Sequence, residues 1–158
     1  MIPVRKKSGG IRICIDYRGL NSVTKQDAYP LPNMEDSIAL FAGNQYFSTL
    51  DMLSGYHQVA LEDESKELTA FSTERGLYQY RVMPMGATGS PATFQRLMGV
   101  VLAGIPAEQA QAYLDDLLVG GRDFEDHIKN LELVLGRLRE YGLKLNPKKC
   151  SFFHREAL

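Results

Sequence analysis

The stretch that most constrains this chain is Tyr113-Leu114-Asp115-Asp116, set inside the segment from Ala110 to Gly121. Apolar residues lie on both sides of two adjacent carboxylates. That pattern suits a β-hairpin whose tight turn is Asp115-Asp116, with both arms packed into a core. Two like charges side by side repel each other, and a cation held between them relieves the repulsion. Hard divalent cations such as Mg²⁺ prefer carboxylate oxygens. A bare Asp-Asp pair is also what a solvated acidic turn looks like, so the pair by itself does not decide the matter.

A second stretch shifts the balance. Tyr46-Phe47-Ser48-Thr49-Leu50-Asp51 is aromatic and β-branched, reads as a strand, and ends on an aspartate. Ser54-Gly55 then breaks it, and Tyr56 follows five residues after Asp51. A carboxylate at the end of one strand can meet a carboxylate pair at a neighbouring hairpin. Three such groups can hold two metal ions ~3.5–4 Å apart, the arrangement used for in-line phosphoryl transfer.

The 158 residues are enough for one domain with a real core, and 44% hydrophobic with 23% charged residues is ordinary for a globular chain. No apolar run approaches the ~20 residues of a membrane span, and Met1-Ile2-Pro3-Val4-Arg5 does not read as a signal peptide. Cys14 and Cys150 lack metal-ligand spacing and read as reduced structural thiols, as in the cytosol. A net charge of −1 does not advertise a nucleic-acid binder. The charge is uneven, however. Arg5, Lys6, Lys7, Arg12, Arg18 and Lys25 face only Asp16 in the first 25 residues, and Lys144, Lys148, Lys149 and Arg155 lie near the end. Local basic patches can face phosphates on a chain that is neutral as a whole.

Along the chain, Ser8-Gly9-Gly10 signals a hairpin turn. From Ile11 to Tyr17 the pattern alternates, with the isoleucines and Tyr17 on one side and Arg12, Cys14 and Asp16 on the other. The turn sets Lys6 and Lys7 opposite this strand, where Lys6 and Arg12 can converge on one anion. Tyr29-Pro30-Leu31-Pro32 is extended, and Asn33 caps a short helix from Met34 to Phe41. Asp63 to Lys66 forms a polar turn or short helical segment. Leu68–Ser72 and Leu77–Val82 read as strands joined through Glu74-Arg75-Gly76. Ser90-Pro91 starts a helix, serine as N-cap, whose apolar face is Phe94, Leu97, Met98, Val101 and Leu102. Asp123 caps a long helix to about Tyr141, with Phe124, Ile128, Leu131, Val134, Leu135 and Leu138 as its buried stripe and Gly142 as its stop. Leu143-Lys144-Leu145 and Cys150 to Phe153 are the last strand candidates. The succession predicts an α+β fold: an antiparallel sheet backed by helices on one face.

Five stretches, in this order, carry a resemblance. They are Val4 to Arg12; Ile15-Asp16-Tyr17-Arg18-Gly19-Leu20-Asn21; Leu50-Asp51-Met52-Leu53-Ser54-Gly55-Tyr56-His57-Gln58; Met83-Pro84-Met85-Gly86 with Ser90-Pro91-Ala92-Thr93-Phe94-Gln95; and Tyr113 to Asp116. The chain resembles the reverse transcriptase of gypsy-like LTR retrotransposons and, more distantly, of retroviruses. It departs from many gypsy-like relatives at Met85, where phenylalanine is common, and at Gly89-Ser90, which is nearer the retroviral form.

The resemblance implies a palm-type polymerase domain with a partial fingers subdomain, residues about 1–45 and 60–85 being fingers-like and the remainder palm. The thumb, RNase H and integrase regions that accompany it in such a polyprotein fall outside these residues. It implies an RNA-directed DNA polymerase, with Asp51, Asp115 and Asp116 as catalytic metal ligands for two Mg²⁺ ions (Mn²⁺ as a substitute) and the Met52 carbonyl assisting. It further implies that Lys6 or Lys7 and Arg12 meet the triphosphate, and that Tyr56 lies beneath the sugar and leaves no room for a 2′-hydroxyl. Met85 and Gly86 would border the nucleotide, and Gln95 and Tyr113 would face template and primer. Partners would be an RNA or DNA template with its primer and deoxynucleoside triphosphates, with no membrane. The setting would be a cytoplasmic virus-like particle, with a nuclear stage at integration. Two alternatives stand beside this: a palm polymerase copying RNA into RNA, which Tyr56 disfavours, and a catalytically silent remnant of a retroelement.

Overall fold

The computed structural model describes residues 2–5, 9–30 and 32–155; Lys6 and Lys7, expected at the triphosphate, lie outside them. Internal contacts gather the chain into two units, Met1–Ala28 with Tyr56–Pro91, and Tyr29–Gly55 with Ala92–Leu158. The second of these units contains the larger sheet.

That sheet has four antiparallel strands. β3 (Tyr46–Asp51) lies between β7 (Asp116–Gly121) and β8 (Ser151–His154), and β6 (Ala110–Tyr113) pairs with the outer side of β7. Residues opposite each other on neighbouring strands share a face. Ser48 pairs with Val119, Leu50 with Leu117, Ala110 with Val119 and Ala112 with Leu117. All of these are nearly or fully buried. The alternate set, Thr49 with Leu118, Gln111 with Leu118, and Asp51 and Tyr113 with Asp116, occupies the other face. Period-two alternation thus places the two strand carboxylates opposite the core. Leu143–Leu145 forms no strand; it contributes one bridge, between Leu145 and Met52.

The core face is covered by α4 (Ser90–Val101) and α5 (Phe124–Glu140). Phe94, Met98 and Val101 are fully buried, as the helical spacing requires. α5 begins where expected: the Asp123 carboxylate accepts the Asp126 N–H at 2.8 Å. Its stripe is rotated from the expected one. Phe124 and Leu135 are exposed, whereas His127 and Asn130 are buried with Leu131, Val134 and Leu138. Both polar residues have partners in the sheet. Asn130 donates to the Gly120 carbonyl at 2.8 Å, and His127 Nε2 meets the Ser48 hydroxyl at 2.7 Å. Gly121 lets α5 approach the sheet, since a Cβ there would stand 2.4 Å from His127 Cα; Gly120 instead leaves room for the Phe41 ring. α2 (Met34–Leu40) precedes β3, and Phe41 just beyond it packs its ring 6.5 Å from that of Phe47.

Burial pushes the His127 pKa down, against the opposing pull of the Gly120 carbonyl and the Asp126 charge. In the unfolded chain this imidazole titrates near ~6.5. Unfolding therefore takes up a proton between the depressed folded value and ~6.5, and the associated stability is present above that window and lost as pH falls through it. Urea midpoints measured from pH 8 to 5 should fall across this window, and less steeply in His127→Gln. Parallel curves for the two proteins would rule out the linkage.

The other unit holds two two-stranded ribbons. β1 (Ile2–Arg5) pairs with β2 (Ile11–Cys14), placing Val4 opposite Arg12, and β4 (Phe71–Thr73) pairs with β5 (Gly76–Tyr78). The expected strand through Tyr17 stops at Cys14, and its isoleucines are not buried: Ile11 is 69% and Ile13 64% exposed. Tyr17 alone goes inside, its hydroxyl donating to the Thr69 carbonyl at 3.2 Å, and burial beside Tyr80 pushes its pKa up to about 12. Arg18–Val23, not foreseen as helical, forms α1. α3 (Asp63–Lys66) is the short helical segment expected there, but Glu67–Thr69 is a tight 3₁₀ turn rather than the start of a strand. Ser90 also differs from expectation. It is the first residue of α4, and its hydroxyl donates to the Pro84 carbonyl at 2.8 Å instead of capping the helix.

Candidate active site

β3 delivers Asp51 to its last position, opposite Asp116 on β7. Tyr113 also pairs with Asp116, so the hairpin turn is Leu114-Asp115, not Asp115-Asp116 as the sequence suggested. The register explains the shift: Asp116 is the first paired residue of the return strand. Leu114 takes φ +54°, a left-handed conformation that a branched side chain adopts at a cost. Such hairpins usually carry glycine at this place.

Gln95 on α4 holds that turn. Its Nε2 donates to the Ala112 carbonyl and its Oε1 accepts the Leu114 N–H, each at 2.8 Å. Gln95 is 6% exposed, and its whole amide is engaged by the hairpin. The structure therefore makes it a positioning residue for the turn. Tyr113 is half-buried on the carboxylate face and lines a cavity of about 350 Å³ with Thr49, Gln111 and Asp116.

Asp115 leans over Gly55. A Cβ there would stand 2.7 Å from Asp115 Oδ1 and 2.9 Å from Phe94 Cζ, so the missing side chain is what leaves room for the carboxylate. Met52, expected to offer its carbonyl, is 2% exposed and donates its N–H to the Asp115 carbonyl at 3.0 Å. These contacts tie the end of β3 to the hairpin turn.

Burial is the largest influence on Asp115 and raises its pKa; the Asp116 and Asp51 charges raise it further, and Lys149 opposes them. Asp116 is raised by burial and by Asp51, again against Lys149. Lys149, 98 residues from Asp51 in sequence, places Nζ 2.8 Å from Asp51 Oδ2. Its local sequence marks it only as one of a basic cluster, because its partner comes from the far side of the chain. Two buried oxygens, Asp51 Oδ1 and Asp115 Oδ1, have no hydrogen-bond partner. Among the described residues no group of three His, Cys, Asp or Glu side chains is placed to hold a metal ion. The donor chemistry nonetheless fits a hard divalent cation, being all oxygen with two buried oxygens left unsatisfied.

The remaining expected site residues lie in the other unit. Met85 and Gly86 form a turn, with Gly86 at φ +91°. Asn21 holds it, donating to the Gly86 carbonyl at 2.9 Å and accepting the Thr88 N–H at 2.8 Å. Two of the five sequence stretches are thereby joined by one side chain. Tyr56 is half-buried in a 3₁₀ turn, Gly55–Gln58.

An antiparallel sheet with helices over one face and carboxylates at the strand ends defines a palm-type domain. Residues 4–157 match the family described as reverse transcriptase (RNA-dependent DNA polymerase), and the chain belongs to it. It is 43% identical over 146 residues to the retrovirus-related Pol polyprotein from transposon 412 of Drosophila melanogaster, covering 92% of this chain and 12% of the relative. The corresponding polyprotein from transposon 297 of the same organism is 38% identical over 160 residues, covering 99% and 15%. Among solved structures, native prototype foamy virus protease-reverse transcriptase superposes with a TM-score of 0.85 at 30% identity, over 95% of this chain and 20% of that one. The foamy viral enzyme in complex with an RNA/DNA hybrid gives 0.86 at 27% identity, with the same coverage. The chain thus spans 12 to 15% of the length of these two polyproteins. The family in general depends on divalent metal.

Proposed function

We propose that this chain is the catalytic core of an RNA-directed DNA polymerase, adding deoxynucleotides to a primer 3′-hydroxyl on an RNA or DNA template during retrotransposon replication. The observation that carries this is the carboxylate triad: Asp51 and Asp116 in register on adjacent strands, with Asp115 in the turn over Gly55. Asp51, Asp115 and Asp116 would hold Mg²⁺. What two bound ions supply is activation of the 3′-hydroxyl and neutralisation of charge on the triphosphate and leaving pyrophosphate. The chain's own part is positional. Gln95 fixes the turn that presents Asp115, and the Met52 N–H fixes the end of β3 against it. Arg12, with Lys6 or Lys7, neutralises triphosphate charge. Met85 and Gly86 border the nucleotide, and Tyr113 meets template and primer. The setting is a cytoplasmic virus-like particle, with a nuclear stage at integration.

Sugar selection falls to Tyr56, whose ring excludes a 2′-hydroxyl by steric clash. The test is primer extension with the chain grafted in place of the matching segment of the transposon 412 polyprotein. Deoxynucleotides should be incorporated on an RNA template. Tyr56→Ala should raise the relative kcat/KM for ribonucleotides by at least ~10-fold, about 1.4 kcal/mol of lost discrimination. Absence of templated synthesis by a folded chimera would overturn the polymerase assignment. A parallel loss on both sugars at an unchanged ratio would make Tyr56 a packing residue only.

A further inference from the structure

The loop after α5 is built to bring one cation to the carboxylates. Residues 144–146 run beside the end of β3: Leu53 N–H donates to the Lys144 carbonyl at 2.9 Å, and Asn146 N–H to the Asp51 carbonyl at 2.8 Å. The Asn146 carbonyl then accepts the N–H groups of Lys149 and Cys150 at 3.0 and 3.2 Å, folding the loop into a tight turn. That turn returns the Lys149 ammonium to Asp51 Oδ2 at 2.8 Å. An exposed ion pair on two free side chains contributes little. Here the loop backbone is anchored to the residue being paired through Asn146, and the Asp51 side chain is only 18% exposed. The neighbouring buried oxygens, Asp51 Oδ1 and Asp115 Oδ1, are left without partners. One ammonium therefore meets Asp51 directly and opposes the like-charge repulsion at Asp115 and Asp116 through its charge.

We propose that Lys149 is the resident counter-cation of this cluster and must leave Asp51 before a divalent metal can bind. This rests on the assignment of the carboxylates as metal ligands. A ligand competing with an internal group binds with an affinity reduced by the fraction of molecules in which the site is closed. Lys149 thus weakens the apparent metal affinity while stabilising the metal-free fold, and loading releases the ammonium to solvent.

The probe is Mn²⁺ alone, titrated into the chain without nucleotide or nucleic acid and followed by loss of the free-ion electron paramagnetic resonance signal. Lys149→Gln should bind Mn²⁺ about 5- to 10-fold more tightly than the parent, as expected for removing a competing charge at contact distance. It should also melt lower without metal and gain more on adding it. Lys149→Arg should stay near the parent, and Lys148→Gln, the same charge change one residue away, should shift affinity by less than about twofold at moderate salt. In the parent itself, Mn²⁺ should raise the rate at which Lys149 is acetylated relative to Lys148, a readout that needs no variant. Equal affinities for the parent and Lys149→Gln, an equal gain from Lys148→Gln, or unchanged Lys149 reactivity on loading would each overturn the displacement while leaving the metal site standing. Failure of the folded parent and of Lys149→Gln alike to bind Mn²⁺ would overturn both.

Discussion

Asp115→Asn is expected to lower nucleotide addition on the order of 10³-fold or more, even at saturating Mg²⁺, without weakening the metal-free fold. The two halves of this expectation come from the same electrostatics. Burial, Asp116 and Asp51 all raise the Asp115 pKa. Between the unfolded value near ~3.9 and the raised folded value, the folded protein holds a proton that the unfolded chain has released. The wild type therefore loses stability as pH rises through that window, and above it carries the full cost of a poorly solvated charge. Asparagine removes the charge and that pH dependence together, so the urea midpoint of the metal-free variant at pH 7 should be no lower than that of the parent. Near-normal extension at saturating Mg²⁺ would remove Asp115 from the catalytic set. A large fall in the midpoint would mean that the carboxylate serves the fold.

The largest stability loss is expected at Gly121. Its Cα faces the first turns of α5, where an added Cβ would stand 2.4 Å from His127 Cα and 2.5 Å from His127 N. Those are backbone atoms, so no rotamer change can clear them. The helix or β7 must move, at a site where His127 and Asn130 also bond to the sheet. Gly121→Ala should cost about 3 kcal/mol or more, at or above the upper end of ordinary overpacking. Gly136, exposed in the same helix with nothing within 4 Å of an added methyl, is the internal comparison. Gly136→Ala should gain roughly 0.5–1 kcal/mol through helix propensity. Urea titration of both variants checks the pair; a Gly121→Ala protein as stable as the parent would show that the layers can separate freely.

The parts of the fold legible in the sequence were those written in short-range periodicity and end signals. The β3 strand, the paired arms around the two aspartates, the Asp123 cap and the buried face of α4 all follow from residues within a few positions of one another. What could not be read is of two kinds. One is polar residues turned inward: His127 and Asn130 look like the solvent side of α5 until Ser48 and the Gly120 carbonyl supply their partners from the sheet. Gln95 and Asn21 belong with them, since an amide that clamps a turn has the same local pattern as one that meets a ligand. The other kind is exposure of apolar residues. Ile11 and Ile13 alternate as a buried strand should, but a two-stranded ribbon offers no second layer to bury them. The hairpin turn was misplaced by one residue for a related reason: Leu114 at positive φ breaks a local preference that the Gln95 contact overrides from outside.

The pairing of β6 with β7 also bears on how copies of such a sequence decay. A strand shifted by one residue presents its other side. One codon gained or lost within the paired residues 116–121 would turn Asp116 toward the helices and Leu117 toward water. Among several copies of one such sequence, a single-codon insertion or deletion there would take Asp116 off the carboxylate face even with every aspartate still spelled out.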